Sequence, residues 1–126
     1  MAPAPRSAGF ARRQRITRPA EFKRAFADGC RSAAGPLVLI SVANGCEHAR
    51  LGLAVPKRWV RLAVDRNRIK RLAREFFRTH AAEVKGRDLV LLVRGGVDGW
   101  DNPRFRAALT ALWGQHLRQC AASSSS

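Results

Sequence analysis

Acidic residues are scarce in this chain, and that scarcity sets its electrostatic character. Across 126 residues, 9 Asp and Glu accompany 24 Lys and Arg, so the formal net charge is +15 and the isoelectric point is near 11.7. Such a chain repels itself unless a polyanion is near. The basic residues concentrate in residues 1–28 and 56–80, as in proteins that bind nucleic acid or, with less support here, an anionic membrane surface.

Long apolar runs are also missing, and the cysteines are few. No run approaches the roughly 18 residues that a membrane span needs, and the N-terminal MAPAPRSAGFARRQR lacks the apolar centre of a signal peptide. A mitochondrial transit peptide fits poorly, because proline interrupts this segment. Cys30, Cys46 and Cys120 are odd in number and far apart, which argues against a disulfide framework and for a reducing compartment, the cytoplasm by default.

Motifs of protein-based catalysis are absent as well. The chain has no G-x-S-x-G, H-E-x-x-H or Walker loop, and its acids form no cluster for two-metal nuclease chemistry. Cys46-Glu47-His48 is a poor zinc site without a second ligand pair. His80 and His116 lie on or near apolar faces and are predicted to be structural. We therefore expect neither catalytic residues nor a metal site in the protein.

Local patterns predict a single α+β domain at 16–119, between a mobile basic segment at 1–15 and a disordered Ser-rich tail at 120–126. The predicted strands are a short one near residue 31 and those at 37–43, 50–55 and 88–94. The predicted helices are one starting at Thr17 and Pro19 and ending near Asp28, one at 64–78 capped by Asp65, and one opened by Asn102 and Pro103. Because Asn44-Gly45 favours a turn, the strands at 37–43 and 50–55 are expected to form a hairpin.

The helix at 64–78, VDRNRIKRLAREFFR, divides into two faces at 100° per residue. Its apolar face comprises Ile69, Leu72, Ala73, Phe76 and Phe77. Its polar face comprises Asn67, Lys70, Arg71, Arg74 and Arg78, with Arg66 and Arg68 at its margins. A face that only confers solubility usually mixes charges, yet no acid occurs at 66–74, and arginine forks match phosphate geometry. The pattern predicts a helix that packs on one side and binds nucleic acid on the other.

Phe22 and Phe26 are one helical turn apart and alternate with Lys23 and Arg24. Two interpretations remain open from their spacing. The rings pack the first helix onto the sheet, or they stack on unpaired bases, which contributes about 1–3 kcal/mol per base.

Several separated blocks together resemble the protein component of bacterial ribonuclease P. They cover roughly residues 15–118 in the order found in that family. The blocks are Pro19-Ala20-Glu21-Phe22 with Phe26, Arg50-Leu51-Gly52-Leu53, Val55-Pro56-Lys57-Arg58, the "RNR" signature that begins at Arg66-Asn67-Arg68, the strand at Asp88, and Leu112-Trp113.

The resemblance implies a small basic subunit that pairs with a catalytic RNA to remove the 5′ leader of precursor tRNA. It also implies a two-layer α/β sandwich with one mostly antiparallel four-stranded sheet, helices packed on it and a left-handed βαβ crossover. Mg²⁺ would be held mainly by the RNA subunit and the substrate, in a 1:1 protein–RNA holoenzyme without a membrane partner.

The family roles are carried over at the matching positions. Phe22 and Phe26 would line the cleft for the single-stranded leader. The RNA subunit would contact Lys57, Arg58, Arg66, Asn67, Arg68, Lys70, Arg71 and Arg74. Ile40 stands where relatives often have an aromatic facing the leader, which weakens the expectation of stacking there. The alternative is a ribosomal protein or general RNA chaperone that binds A-form RNA by charge and shape.

Overall fold

The computed structural model describes residues 15–16, 18–44, 49–80, 86–97 and 99–124. These residues form an α+β fold with a four-stranded sheet and three helices, as predicted. The elements are α1 (Pro19–Asp28), β1 (Cys30–Ala34), β2 (Leu37–Ala43), β3 (Arg50–Ala54), α2 (Ala63–His80), β4 (Arg87–Val93) and α3 (Asn102–Ser124). No helix in the described part of the chain is both long and apolar enough to span a membrane.

The sheet has the order β1-β2-β4-β3, so the predicted hairpin of β2 and β3 is wrong. β4 lies between them, antiparallel to β2 and parallel to β3. β2 and β4 are apolar at nearly every position and take the centre, where both faces are buried, whereas shorter β1 and β3 take the edges. The hairpin instead joins β1 to β2 through Gly35, whose φ of 59° suits a tight turn.

The parallel pairing of β3 with β4 requires a crossover, and α2 provides it. The left hand of that crossover stays an expectation from the family resemblance. Alternate residues of β2 enter different cores: Leu37 and Leu39 pack with α2 and α3, whereas Val38 and Ile40 pack with α1. The sheet therefore separates the surface of α1 from that of α2.

Two helix starts differ from the predictions. α2 begins at Ala63, so Asp65 lies within its first turn, where its negative charge still favours the helix N-terminus. At α3, Asp101 rather than Asn102 acts as the cap, because its Oδ1 accepts a hydrogen bond of 2.9 Å from the Arg104 N–H. Arg18 occupies the capping position of α1, and Thr17 lies outside the described residues.

The last helix extends further than the sequence predicts. α3 continues to Ser124, through most of the segment expected to be a disordered tail, and Cys120 in it is buried. The structure bonds Cys120 to Cys30 of β1, whereas the number and spacing of the cysteines argued against a disulfide framework. An odd count leaves one cysteine over but does not prevent the other two from pairing. That third cysteine, Cys46, lies outside the described residues together with Glu47 and His48.

Candidate RNA-binding surfaces

The apolar face of α2 is buried as the sequence predicts. Ile69, Leu72, Ala73 and Phe77 are at most 1% exposed and pack into the core beneath the helix. Phe76 is half-buried and meets the Phe77 ring edge-on at a centroid distance of 5.2 Å. This packing fixes the rotation of α2 and turns its polar face outward.

The outward face carries cations without acidic partners among the described residues. Asn67, Arg71 and Arg78 are exposed, and Lys70 and Arg74 are half-buried. The ion pairs in the described chain are those of Arg50 with Glu21 and Asp88 and of Arg106 with Glu75. Because none of them involves this face, the described residues leave its positive charge unpaired and available to a polyanion.

Two arginines of the signature hold the structure as well as line the surface. Arg66 Nη1 donates hydrogen bonds to the carbonyl oxygens of Val60 and Arg61, at 3.0 and 2.9 Å. Arg68 Nη1 donates to Oδ1 of Asn102 at the start of α3, at 2.9 Å. Both arginines are half-buried, so part of each guanidinium remains accessible. These bonds tie the start of α2 to the connector before it and to α3.

The connector before α2 extends the cationic surface. Lys57 and Arg58 are exposed, and the Arg58 guanidinium lies 4.4 Å from the centroid of the Trp59 ring. The eight residues expected to contact an RNA subunit therefore lie on one helix and the connector leading into it. Sequence reasoning did not single out Arg15, which pairs with Leu51 at the edge of β3. Its alternation with apolar Ile16 was the only local signal.

On the opposite side of the sheet, Phe22 and Phe26 line an open cleft of about 560 Å³. Pro19, Lys23 and Ala54 complete its lining, so the cleft lies between α1 and the end of β3. Phe26 is 38% exposed, whereas Phe22 is half-buried. Both interpretations of the pair therefore have support: Phe22 packs α1 onto the sheet, and both rings are presented to an occupant of the cleft.

Gly52 and Ile40 determine the shape beneath α1. A Cβ on Gly52 would lie 2.9 Å from Cζ of Phe22, so the ring sits directly on the β3 backbone. Ile40 is fully buried under α1 and lines none of the cleft. The Ile40 side chain is therefore not presented to the cleft in this structure.

An ion-pair network fixes α1 to the sheet. Arg50 of β3 forms a two-pronged pair with the buried carboxylate of Asp88, at 2.8 and 2.7 Å, and its Nη1 bonds Glu21 of α1 at 2.9 Å. Asn44 Nδ2 also donates to Asp88, at 2.9 Å. The Asp88 hydrogen bond raises the pKa of Arg50, burial partly opposes this, and Glu21 adds to the rise. Because Glu21 precedes Phe22, the network sets the position of the cleft.

His116 lies in a buried polar cluster rather than on a purely apolar face. Its Nδ1 is 2.7 Å from Ser32 Oγ, and its Nε2 is 2.8 Å from Ser41 Oγ. Burial, and secondly the charge of Arg87, lower the pKa of His116 to about 4. The neutral ring thus joins α3 to β1 and β2, which agrees with the structural role predicted for it.

Comparisons with known proteins agree with these features. The sequence model of the family Ribonuclease P matches residues 10–117. The ribonuclease P protein component of Thioalkalivibrio sulfidiphilus is 43% identical over 113 residues, covering 90% of this chain and 94% of the relative. The Staphylococcus aureus RNase P protein superimposes with a TM-score of 0.75 at 28% identity, covering 80% of this chain and 93% of that one.

A second structure of the Staphylococcus aureus protein, a mutant described as having defective mRNA degradation activity, gives a TM-score of 0.73 at 29% identity. It covers 79% of this chain and 85% of that one. Sequence and fold thus point to the same tRNA-processing ribonucleoprotein. The chain belongs to the ribonuclease P protein component family.

Proposed function

We propose that this protein assists a catalytic RNA in removing the 5′ leader of precursor tRNA, as a 1:1 complex in the cytoplasm. The observation that carries the proposal is the presence of two different surfaces on opposite sides of one sheet. The cationic face of α2, with Lys57 and Arg58, suits the phosphates of a folded RNA, and the aromatic cleft suits a single strand.

In this proposal the protein positions RNA and neutralises charge, and the RNA carries out the hydrolysis. Cations between two polyanions reduce their repulsion, so the complex forms at lower Mg²⁺. The described residues contain no group of three or more His, Cys, Asp or Glu side chains that could hold a metal ion. In the proposed complex, Mg²⁺ is held mainly by the RNA subunit and the substrate.

The cleft supplies the proposed selectivity for precursor over mature tRNA. A mature tRNA has no 5′ leader and gains nothing from Phe22 and Phe26. A leader base stacked on an exposed ring gains about 1–3 kcal/mol. Lys23 at the margin adds a cation for the adjacent phosphate. A general RNA chaperone would bind both tRNAs equally.

The test is cleavage of a 5′-labelled precursor tRNA by a bacterial ribonuclease P RNA at low Mg²⁺, with and without the protein. We expect accurate leader release only when both components are present. Because the Staphylococcus aureus relative is linked to mRNA degradation, the protein-alone control includes an mRNA as well as the precursor. Cleavage by purified protein without RNA would contradict the assignment of catalysis to the RNA.

A matched pair of variants tests the cleft. Phe26→Ala removes an exposed ring from the cleft, and Leu62→Ala removes a side chain that is 62% exposed and outside it. Phe26→Ala should reduce the preference for precursor over mature tRNA by about fivefold or more. Leu62→Ala should leave it unchanged. Equal binding of both tRNAs by the unmodified complex would favour the chaperone alternative.

A further inference from the structure

Arg15 and Ile16, the first residues that the structure describes, lie along the edge of β3. Arg15 forms a parallel bridge with Leu51, and the Ile16 N–H donates to the Leu51 carbonyl oxygen at 2.9 Å. Ile16 is 4% exposed and packs into the core beneath α1. This anchor holds Arg15 at a defined place between the two proposed RNA surfaces.

The strand geometry directs Arg15 to the α2 side of the sheet. Bridged residues of neighbouring strands point to the same face, and Leu51 belongs to the core that α2 covers. Ile16, the next residue, points to the other face. On α2, Ala73 packs into the same core as Leu51, and Arg74 follows it at the surface. Arg15 and Arg74 thus lie on the same side of the sheet, one at the edge of β3 and the other on the helix that packs against β3.

Among the residues that the structure describes, no acid pairs with either of these two charges, those of Arg15 and Arg74. Partial burial, and secondly the charge of Arg15, lower the pKa of Arg74. Arginine nonetheless stays protonated at neutral pH. Their mutual repulsion would be relieved by an anion placed between them.

We propose that Arg15 and Arg74 jointly bind one backbone phosphate of RNA at the edge of β3, an inference that rests on the proposed function. Each guanidinium offers a planar fork of donors that matches phosphate oxygens. Arg15 is exposed and Arg74 is half-buried, so an anion can reach both from solvent. The phosphate comes either from the catalytic RNA, beyond the face of α2, or from the leader as it leaves the cleft.

The experiment compares Arg15→Ala, Arg15→Lys, Arg74→Ala and the double variant with Arg118→Ala. Arg118 is an exposed arginine on α3, and α3 packs on β1 and β2 rather than on β3. One arm measures affinity for the catalytic RNA across a salt series. The other measures affinity of the assembled holoenzyme for precursor tRNA. Melting temperatures of the free proteins accompany both.

We expect Arg15→Ala to weaken one of the two interactions about fivefold to tenfold and to reduce its salt slope by about 1, as for one lost phosphate contact. Loss with the catalytic RNA assigns the phosphate to that subunit, and loss confined to the precursor assigns it to the leader. Arg15→Lys should retain part of the affinity. Arg118→Ala should change neither affinity by more than about twofold. Arg15→Ala should not lower the melting temperature, because it removes a repulsion.

Three results would overturn the inference. One is wild-type affinity of Arg15→Ala for both RNAs while Arg74→Ala binds weakly. Another is a lowered melting temperature of Arg15→Ala together with an affinity loss that Arg15→Lys does not restore. That result would indicate that Arg15 stabilises the fold and does not contact RNA. The third is a double variant that loses the full product of the two single effects, because residues sharing one phosphate should lose less. The proposed function fails separately, if the unmodified protein does not promote precursor cleavage.

Discussion

Gly52 lies directly beneath the ring of Phe22, and a Cβ at that glycine would approach the ring to 2.9 Å and Cβ of Ile16 to 3.0 Å. The absence of a side chain in β3 therefore allows α1 to settle on the sheet. Ile16 is buried and its Cβ is fixed to the backbone, so the Phe22 ring is the neighbour that would have to move. Gly52 in the edge strand β3 thus determines how closely α1 approaches the sheet and how deep the cleft between them is.

Gly52→Ala is expected to displace Phe22 and destabilise the fold by about 1–3 kcal/mol, the usual range for an overpacked site. The preference for precursor over mature tRNA should fall with it, because the ring lines the cleft. Gly99→Ala is the matched control, since a Cβ there meets nothing within 4 Å. Urea unfolding and tRNA binding measure both effects. Unchanged stability together with unchanged preference in Gly52→Ala would contradict this account of the cleft.

The Arg50 network should contribute far more stability than the exposed pair of Arg106 and Glu75. Asp88 is 2% exposed and bonded through both oxygens, whereas Arg106 and Glu75 are 3.8 Å apart and about half exposed. Asp88→Ala should lower the free energy of unfolding by about 3 kcal/mol, because it leaves the arginine inadequately paired. Glu75→Ala should change it by less than about 1 kcal/mol. Similar losses in urea titrations of the two variants would refute the distinction.

The acid sensitivity of the fold should depend on His116. Its pKa is about 4 in the folded protein against 6.5 ordinarily, so between these values the unfolded chain binds the additional proton. Stability therefore falls as the pH drops from about 6.5 to about 4, by about 3 kcal/mol in total. Below that range this contribution changes no further, because both states are protonated.

Urea titrations at pH 7 and pH 5 measure the larger part of this loss. His116→Gln should be less stable at pH 7 but should lose less on acidification, because glutamine does not titrate. His80→Gln keeps the buried histidine and should retain the full loss. An identical pH dependence of His116→Gln and the unmodified protein would exclude His116 as its source.

Sequence periodicity predicted the features that depend on residues close together in the chain. It did not predict the features that depend on contacts between residues far apart in the chain. The two faces of α2 follow from apolar spacing at three and four residues, and β2 follows from its β-branched run. The strand order does not follow from such patterns. The alternation at 50–55 indicates which face of the strand is buried, but it does not indicate which strand lies next to it. The bond between Cys30 and Cys120 joins residues 90 apart. No local pattern could indicate it.

The candidate sites show the same division. The exposed cations of α2 could be read from the helix pattern, and the family resemblance supplied the cleft role of Phe22 and Phe26. The contact of Arg68 with Asn102 spans 34 residues and was not predictable from either. The sequence places Arg15 in a segment expected to be mobile. Its position becomes apparent only from its pairing with Leu51 in the structure.

The bond between Arg68 and Asn102 separates two ways in which an arginine of α2 can act. The Arg71 side chain is exposed and forms no hydrogen bond or ion pair with the described residues. Arg71→Ala should therefore weaken binding to the catalytic RNA and change stability by less than about 0.5 kcal/mol. Arg68→Ala should weaken RNA binding and also lower stability by about 1 kcal/mol, the usual value of one hydrogen bond.

Asn102→Ala distinguishes a direct RNA contact of Arg68 from a structural one, because it removes the bond and keeps the charge. We expect Asn102→Ala to match the stability loss of Arg68→Ala and to bind the catalytic RNA more tightly than Arg68→Ala does, since its guanidinium can still reach a phosphate. Filter binding across a salt series and urea unfolding give the two quantities. If Arg68→Ala bound the RNA as tightly as the unmodified protein at every salt concentration, Arg68 would belong to the scaffold that orients α2 and not to its RNA-binding face.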